Sequence, residues 1–295
     1  MRFSRILITV LVFTMGVLPA FAQRRSIVGD VRFHKLKSDV FGNTRTIRVL
    51  VPPGYSRKKA QRYPVLYLND GQNLFQVRGS QSKMSEWGID ETIKDLLDSR
   101  EIEPIIIVGI DNAGRSGRAN EYLPYEDKYL SPPLPNPQGS KYPDFLTEEV
   151  LPFVEKNYRV KTGAEFTALG GASYGALISL FSAIKKPGVF GSLLLESPSF
   201  YVDEGRILDE VEATENMPER VYIGVGTNEE AKPNCVPGDQ SHEAVQDVLK
   251  FKKILEEKEL DDNNLKVLIE DCAVHNEGAY GRRFYDAMRF LYGRK

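Results

Sequence analysis

Residues 169–180 read LGGASYGALISL. Gly170, Gly171, Ala172 and Gly175 crowd around a single hydroxyl, that of Ser173. Glycine loses more backbone freedom on folding than any other residue, so such a cluster marks a local demand on the backbone. The segment Gly171-Ala172-Ser173-Tyr174-Gly175 fits G-x-S-x-G, between a strand-like run at 165–169 and an apolar helical run at 176–184. This setting predicts a sharp strand-to-helix turn that lifts the serine oxygen clear of a sheet. The residues two before and two after the serine must then approach closely, leaving no room for side chains. A phosphate-cradling loop would instead use Gly170, Ala172 and Gly175 at dinucleotide-binding spacing. No acidic residue follows where a ribose would need one, which disfavours that alternative.

Outward from this turn, strand-like runs lie at 44–51, 64–68, 105–110, 192–195, 221–225 and 265–269. Several are rich in Val, Ile and Leu without strict alternation, as strands covered on both faces are. Between them apolar residues repeat at helical spacing: Ile89, Ile93 and Leu96; Phe145, Val150 and Phe153; Ala244, Val248, Phe251 and Leu255; Tyr280, Phe284, Ala287 and Leu291. Alternation of this kind predicts an α/β fold, with a mainly parallel central sheet and helices on both faces. The strands before Tyr67 lack intervening helices and are expected to form an antiparallel edge. Long loops at 126–142, which is rich in proline, and at 228–241 are candidates for function.

A serine hydroxyl needs a base to become a nucleophile. Three histidines exist. His34 lies in an early strand-like stretch and His242 begins a long helix, so both are read as structural. His275 follows the last strand-like run, and the order Ser, acid, His is that of the α/β hydrolases. The acid that orients the base belongs after the run at 221–225, in Gly226-Thr227-Asn228-Glu229-Glu230. Glu229 is the first candidate, followed by Glu230 and then Asp239. Backbone donors for a developing oxyanion are expected at Tyr174, next to the serine, and at Gln72, in the turn Asn69-Asp70-Gly71-Gln72-Asn73. Asn69-Asp70-Gly71 shares a fragment with calcium loops but lacks their alternating ligands and closing glutamate. No metal or organic cofactor is needed for this chemistry.

The chain has 295 residues, 41 % of them hydrophobic, and a formal net charge of −2. No basic run offers a footprint for nucleic acid. Arg2 and Arg5, a short apolar run over 6–18, and Ala20-Phe21-Ala22 predict a signal peptide at 1–22. The run is short for a membrane span. The mature chain, 23–295, is expected to be a single domain, secreted or periplasmic. Its two cysteines, Cys235 and Cys272, fall on loops at one sheet edge, and the sequence leaves open whether they join.

Together these residues resemble the esterase D / enterochelin esterase group of α/β hydrolases. The likeness is carried by Tyr67 through Phe75, by Gly109-Ile110-Asp111-Asn112, and by Asn120-Glu121-Tyr122-Leu123-Pro124. The serine turn, Gly226-Thr227-Asn228-Glu229 and His275-Asn276-Glu277 complete it. It spans about residues 28–292. The resemblance implies an α/β-hydrolase fold and a serine esterase, with Gln72 and Tyr174 lining the oxyanion hole and Arg118 near the substrate mouth. Group members include siderophore esterases, feruloyl and acetyl-xylan esterases, S-formylglutathione hydrolases and mycolyltransferases. A small-molecule or polysaccharide-linked ester is therefore the expected partner. Arg115, Arg118, Tyr122 and Tyr125 are expected to cluster beyond the run at 105–110, where an arginine fork and flat rings suit an aromatic or acidic ester. Trp87, the single tryptophan, is read as packing first and pocket wall second. An acyltransferase with the same machinery and a non-catalytic carbohydrate-binding relative remain as alternatives.

Overall fold

The computed structural model describes residues 29–75, 86–115 and 117–294. The expected signal peptide lies outside them. Among them are eight strands: β1 (Asp30–Ser38), β2 (Asn43–Val51), β3 (Val65–Asn69), β4 (Ile106–Ile110), β5 (Thr167–Ala172), β6 (Ser192–Glu196), β7 (Arg220–Gly226) and β8 (Leu265–Glu270). The helices are α1 (Ile89–Asp98), α2 (Arg118–Tyr122), α3 (Tyr142–Asp144), α4 (Leu151–Asn157), α5 (Tyr174–Lys185), α6 (Arg206–Ala213), α7 (Glu243–Glu257) and α8 (Glu277–Tyr292).

The strands form one sheet in the order β1-β2-β4-β3-β5-β6-β7-β8. β1 pairs antiparallel with β2, and β2 antiparallel with β4; every other pairing is parallel. The antiparallel edge and parallel body thus match the expectation. All five residues of β3 and of β4 are buried, as sheets covered on both faces require. Ile89, Ile93 and Leu96 of α1 and Tyr280, Phe284, Ala287 and Leu291 of α8 cover one face. Val154, Leu177, Phe181, Leu208, Val248 and Phe251 belong to the core on the other.

Three differences from the sequence reading have local causes. β1 lacks a clean apolar period because its more buried positions hold Arg32, His34, Leu36 and Ser38. His34 is nonetheless structural, with Nε2 2.5 Å from the Tyr158 hydroxyl. The helical pattern around Phe145–Phe153 runs through a π-helical turn, Phe145–Val150, just before Pro152, which has no N–H to continue a regular ladder. The short helices α2 and α6 span too few turns to announce themselves by periodicity.

Cys235 and Cys272 are joined in a disulfide, with Cα atoms 5.6 Å apart. The bond ties the loop after β7 to the turn after β8. Closing a chain separation of 37 residues restricts the unfolded state by about 4 kcal/mol in the chain-entropy account. The Cys235→Ser, Cys272→Ser double variant is therefore expected to lose stability of that order in denaturant melts. A loss below about 1 kcal/mol would show that the cross-link restricts the unfolded chain far less than this account gives.

Candidate active site

The site gathers at the carboxyl ends of β3, β5, β6, β7 and β8, where open α/β sheets place their ligands. Ser173 follows β5 with φ 57° and ψ −126°, a conformation that costs a non-glycine residue energy and persists only when its surroundings impose it. The glycines explain how the turn fits. A Cβ on Gly171 would stand 2.8 Å from the Gly175 carbonyl carbon, and one on Gly170 would stand 2.5 Å from the Leu194 carbonyl oxygen. Asn69, at the end of β3, clamps the turn from below: its Nδ2 donates to the Gly175 carbonyl at 3.0 Å and to Ser179 Oγ at 3.0 Å. Ser173 Oγ lies 3.2 Å from Ser199 Oγ.

Glu229 and His275 approach from the turns after β7 and β8. His275 Nδ1 lies 2.5 Å from Glu229 Oε2. The Glu229 side chain is only 7 % exposed and that of His275 39 %, so the carboxylate sits behind and the imidazole in front. Glu229 Oε1 accepts from the Gly226 N–H at 2.6 Å and from Ser197 Oγ at 2.7 Å. Burial alone would raise this carboxyl; the bonds from His275, Ser197 and Gly226 outweigh it and hold the group below the usual carboxylate range. Glu230 turns outward instead, paired with Lys232 at 2.7 Å and 61 % exposed. Asp239 is also exposed and accepts from the Ser241 N–H at 2.9 Å. Of the three candidate acids, only Glu229 bonds His275. Ser173 and His275 are not hydrogen-bonded to each other, but Ser199, Tyr201, Glu229 and His275 all line one cavity of about 200 Å³. An imidazole held at Nδ1 by a carboxylate keeps Nε2 free to exchange a proton.

Gln72 lies in a tight turn, Gly71–Asn73, and Tyr174 opens α5. Neither backbone N–H has an acceptor among the described residues. Gly71 lets the turn press onto β4, because a Cβ there would stand 2.6 Å from the Gly109 carbonyl carbon. Asp70 fixes the turn from the other side. Its carboxylate takes Arg118 Nε and Nη2, both at 2.8 Å, and Asn112 Nδ2 at 2.6 Å.

The residues expected around the substrate mouth have the following partners. Arg118 spends its fork on Asp70 and stacks over the Tyr122 ring at 5.2 Å, so it braces the turn that carries Gln72. Tyr122 is buried, and its hydroxyl accepts from the Asp70 N–H at 3.1 Å. Trp87 is buried against Tyr280 and Phe284 in the core. Tyr125, likewise buried, packs against Phe181. Arg115 alone of the group is exposed. Tyr122 and Tyr125 are buried rather than exposed at a mouth because each found a partner, Asp70 or Phe181, that linear distance concealed, whereas the burial of Trp87 agrees with its reading as a packing residue.

A different aromatic group gathers around Tyr174, the residue after the serine. Tyr174 donates its hydroxyl to the buried carboxylate of Asp127, which Tyr201 OH also approaches at 3.4 Å. Tyr129, 80 % exposed, packs edge-on to Tyr201, itself 38 % exposed, with ring centroids 5.9 Å apart. Sequence reasoning missed Tyr129 and Tyr201. The available signals were the proline-rich loop that holds Tyr129 and the position of Tyr201 just past the end of β6.

A family model described as "Putative esterase" matches residues 38–291. The chain belongs to that esterase family. It is a carboxylic ester hydrolase of the α/β-hydrolase fold. Among curated proteins it is 25 % identical over 255 residues to the uncharacterized protein YbbA of Bacillus subtilis, covering 86 % of this chain and 94 % of that one. It is also 25 % identical to an endo-1,4-beta-xylanase/feruloyl esterase of Xylanibacter ruminicola, covering 73 % of this chain and 27 % of that one. Among solved structures, a ferulic acid esterase superposes with a TM-score of 0.64 at 17 % identity, covering 90 % of this chain and 98 % of the other. The enterobactin esterase FES of Shigella flexneri gives 0.66 at 18 % identity, covering 92 % of this chain and 61 % of the other. At these identities the structural likenesses bear on the fold alone.

Proposed function

We propose that this esterase works through an acyl-enzyme on Ser173, with His275 as general base and Glu229 as the acid that orients it. The observation that carries this is the Glu229–His275 pair, which shares a cavity with Ser199, the hydrogen-bond partner of the strained Ser173. The Ser173 hydroxyl turns from Ser199 to His275 Nε2 when an ester is bound; catalytic hydrogen bonds are commonly long before substrate arrives. His275 takes the serine proton as Oγ attacks the carbonyl carbon. The backbone N–H groups of Gln72 and Tyr174 hold the tetrahedral oxyanion. His275 then gives its proton to the leaving alcohol, and water, deprotonated by the same imidazole, releases the acid.

The substrate class we propose is an ester bearing an aromatic ring, such as a feruloyl sugar or a catechol siderophore ester. Support comes from the exposed rings of Tyr129 and Tyr201 beside Tyr174, since flat rings pack well against flat rings. The named activities of the feruloyl and enterobactin esterase relatives agree with it. We also propose that the protein acts outside the cytoplasm. Its leader-like N-terminus and its disulfide both suit an oxidising compartment. No helix among the described residues is long and apolar enough to cross a membrane.

The test is turnover by the purified mature chain on a panel of acetyl and feruloyl sugars, catechol siderophores and p-nitrophenyl acetate. Faster hydrolysis of the feruloyl and catechol esters than of the acetyl sugars is expected, with p-nitrophenyl acetate reporting the serine chemistry alone. Preference for the acetyl sugars would overturn the substrate class while leaving the serine chemistry intact.

A further inference from the structure

Behind Glu229 lies a buried polar cluster that ester hydrolysis, as described so far, does not use. Arg283 of α8 is only 2 % exposed, yet carries a full charge into the core between α8 and the sheet. Its Nε donates to Glu196 Oε2 at 2.8 Å, its Nη1 to Glu270 Oε2 at 3.0 Å and its Nη2 to Ser197 Oγ at 3.3 Å. Ser197 Oγ in turn donates to Glu229 Oε1 at 2.7 Å. An unbroken chain of hydrogen bonds therefore runs from the guanidinium through one hydroxyl to the carboxylate that holds His275.

Two features show that the backbone is arranged around this chain. Ser197 has φ 40°, a left-handed conformation that a serine adopts only when its surroundings enforce it. Gly224 on β7 makes the space: a Cβ there would stand 2.5 Å from Glu196 Oε2 and 2.7 Å from Arg283 Nε. A buried ion pair is often no more stabilising than apolar side chains of similar volume. Burial pushes the Glu196 carboxyl up to about 7 despite Arg283, so this filling is electrostatically costly. Stability alone accounts poorly for such an arrangement directly behind Glu229.

We propose that Ser197 and Arg283 are positioning residues that fix the Glu229 carboxylate in the orientation that pairs with His275. The proposal rests on the Ser173–His275–Glu229 chemistry above. The Ser197 proton occupies Oε1 together with the Gly226 N–H, which leaves Oε2 for the imidazole. Arg283 fixes the Ser197 hydroxyl as a donor to Glu229, because a guanidinium only donates and so takes the hydroxyl's lone pair. The other titratable or charged groups facing this cluster are Tyr222 on β7, Tyr280 on α8, and Glu270, which also receives Arg282 at 2.8 Å.

The test compares Ser197→Gly with wild type and with Ser173→Ala, using p-nitrophenyl acetate. Glycine suits the left-handed backbone and removes only the hydroxymethyl group, and circular dichroism melts check that the variant folds. For wild type and Ser197→Gly the rate is normalised to sites labelled by a fluorophosphonate, and for Ser173→Ala to protein concentration. Losing one charge-assisted hydrogen bond is expected to lower kcat about tenfold, with KM changed by less than about twofold. The acid limb of kcat/KM is expected to move to higher pH. Without the Ser197 proton the Glu229 charge falls more fully on the imidazolium and favours it. A merely structural role would lower the melting temperature and leave the normalised kcat and the acid limb where they are; that result overturns the proposal. If Ser173→Ala keeps its activity, it is the underlying serine chemistry that fails instead.

Discussion

Ser173→Ala is expected to lower kcat on every hydrolysed ester by on the order of 10⁶-fold, the scale seen when a serine hydrolase loses its nucleophile. Covalent labelling by a fluorophosphonate should disappear with it. The fold should be nearly untouched. The hydroxyl makes one side-chain hydrogen bond, to Ser199 at 3.2 Å, and the strained φ of 57° is imposed by the turn rather than by the side chain. A stability change under about 1 kcal/mol is therefore expected. The combination of an inert enzyme and an intact fold is the informative one. A variant that still hydrolyses esters at a tenth of the wild-type rate or better would mean that Ser173 is not the nucleophile, whatever its backbone suggests.

The second large effect is expected at Glu229. In Glu229→Gln the amide keeps the shape of the side chain but removes its charge, and it can present an N–H where His275 Nδ1 now finds an acceptor. The imidazole is then driven to the wrong tautomer and its protonated form loses its partner, a combination worth about 10⁴-fold in kcat for a buried acid in this role. Glu230→Gln is the matched control. Its carboxylate is solvated and paired with Lys232, so kcat should stay within about twofold of wild type. Equal losses in the two variants would mean the acid is misassigned. A loss confined to Glu230→Gln would move the acid by one position and require the loop after β7 to rearrange on binding.

The elements that proved legible share one property: each rests on a short-range pattern. The runs in β3, β4, β6 and β7 are apolar because both sheet faces are covered, and this shows in five to seven consecutive residues. The turn at Ser173 is legible because Gly171 and Gly175 answer a clash between positions only four residues apart. His275 is expected as the base from chain order together with its place just after the last strand-like run, since His242 also follows Ser173. β1 was blurred because its partly buried positions are mostly polar, and the π-helical turn before Pro152 interrupts a period without erasing it.

By itself, then, the amino-acid order determined an α/β sheet with an antiparallel edge, a serine at a strand-to-helix turn, and a later histidine and acid on neighbouring strand ends. Local sterics and apolar burial dictate all of these. The tertiary structure alone decided that Glu229 rather than Glu230 turns inward and that Arg118 spends its fork on Asp70. It alone packed Tyr129 against Tyr201 and Tyr201 against Tyr174, and strung Arg283 to Glu229 through Ser197. The physical reason is that a polar side chain past a strand end takes its direction from partners supplied by distant parts of the chain, and spacing along one segment carries no record of them.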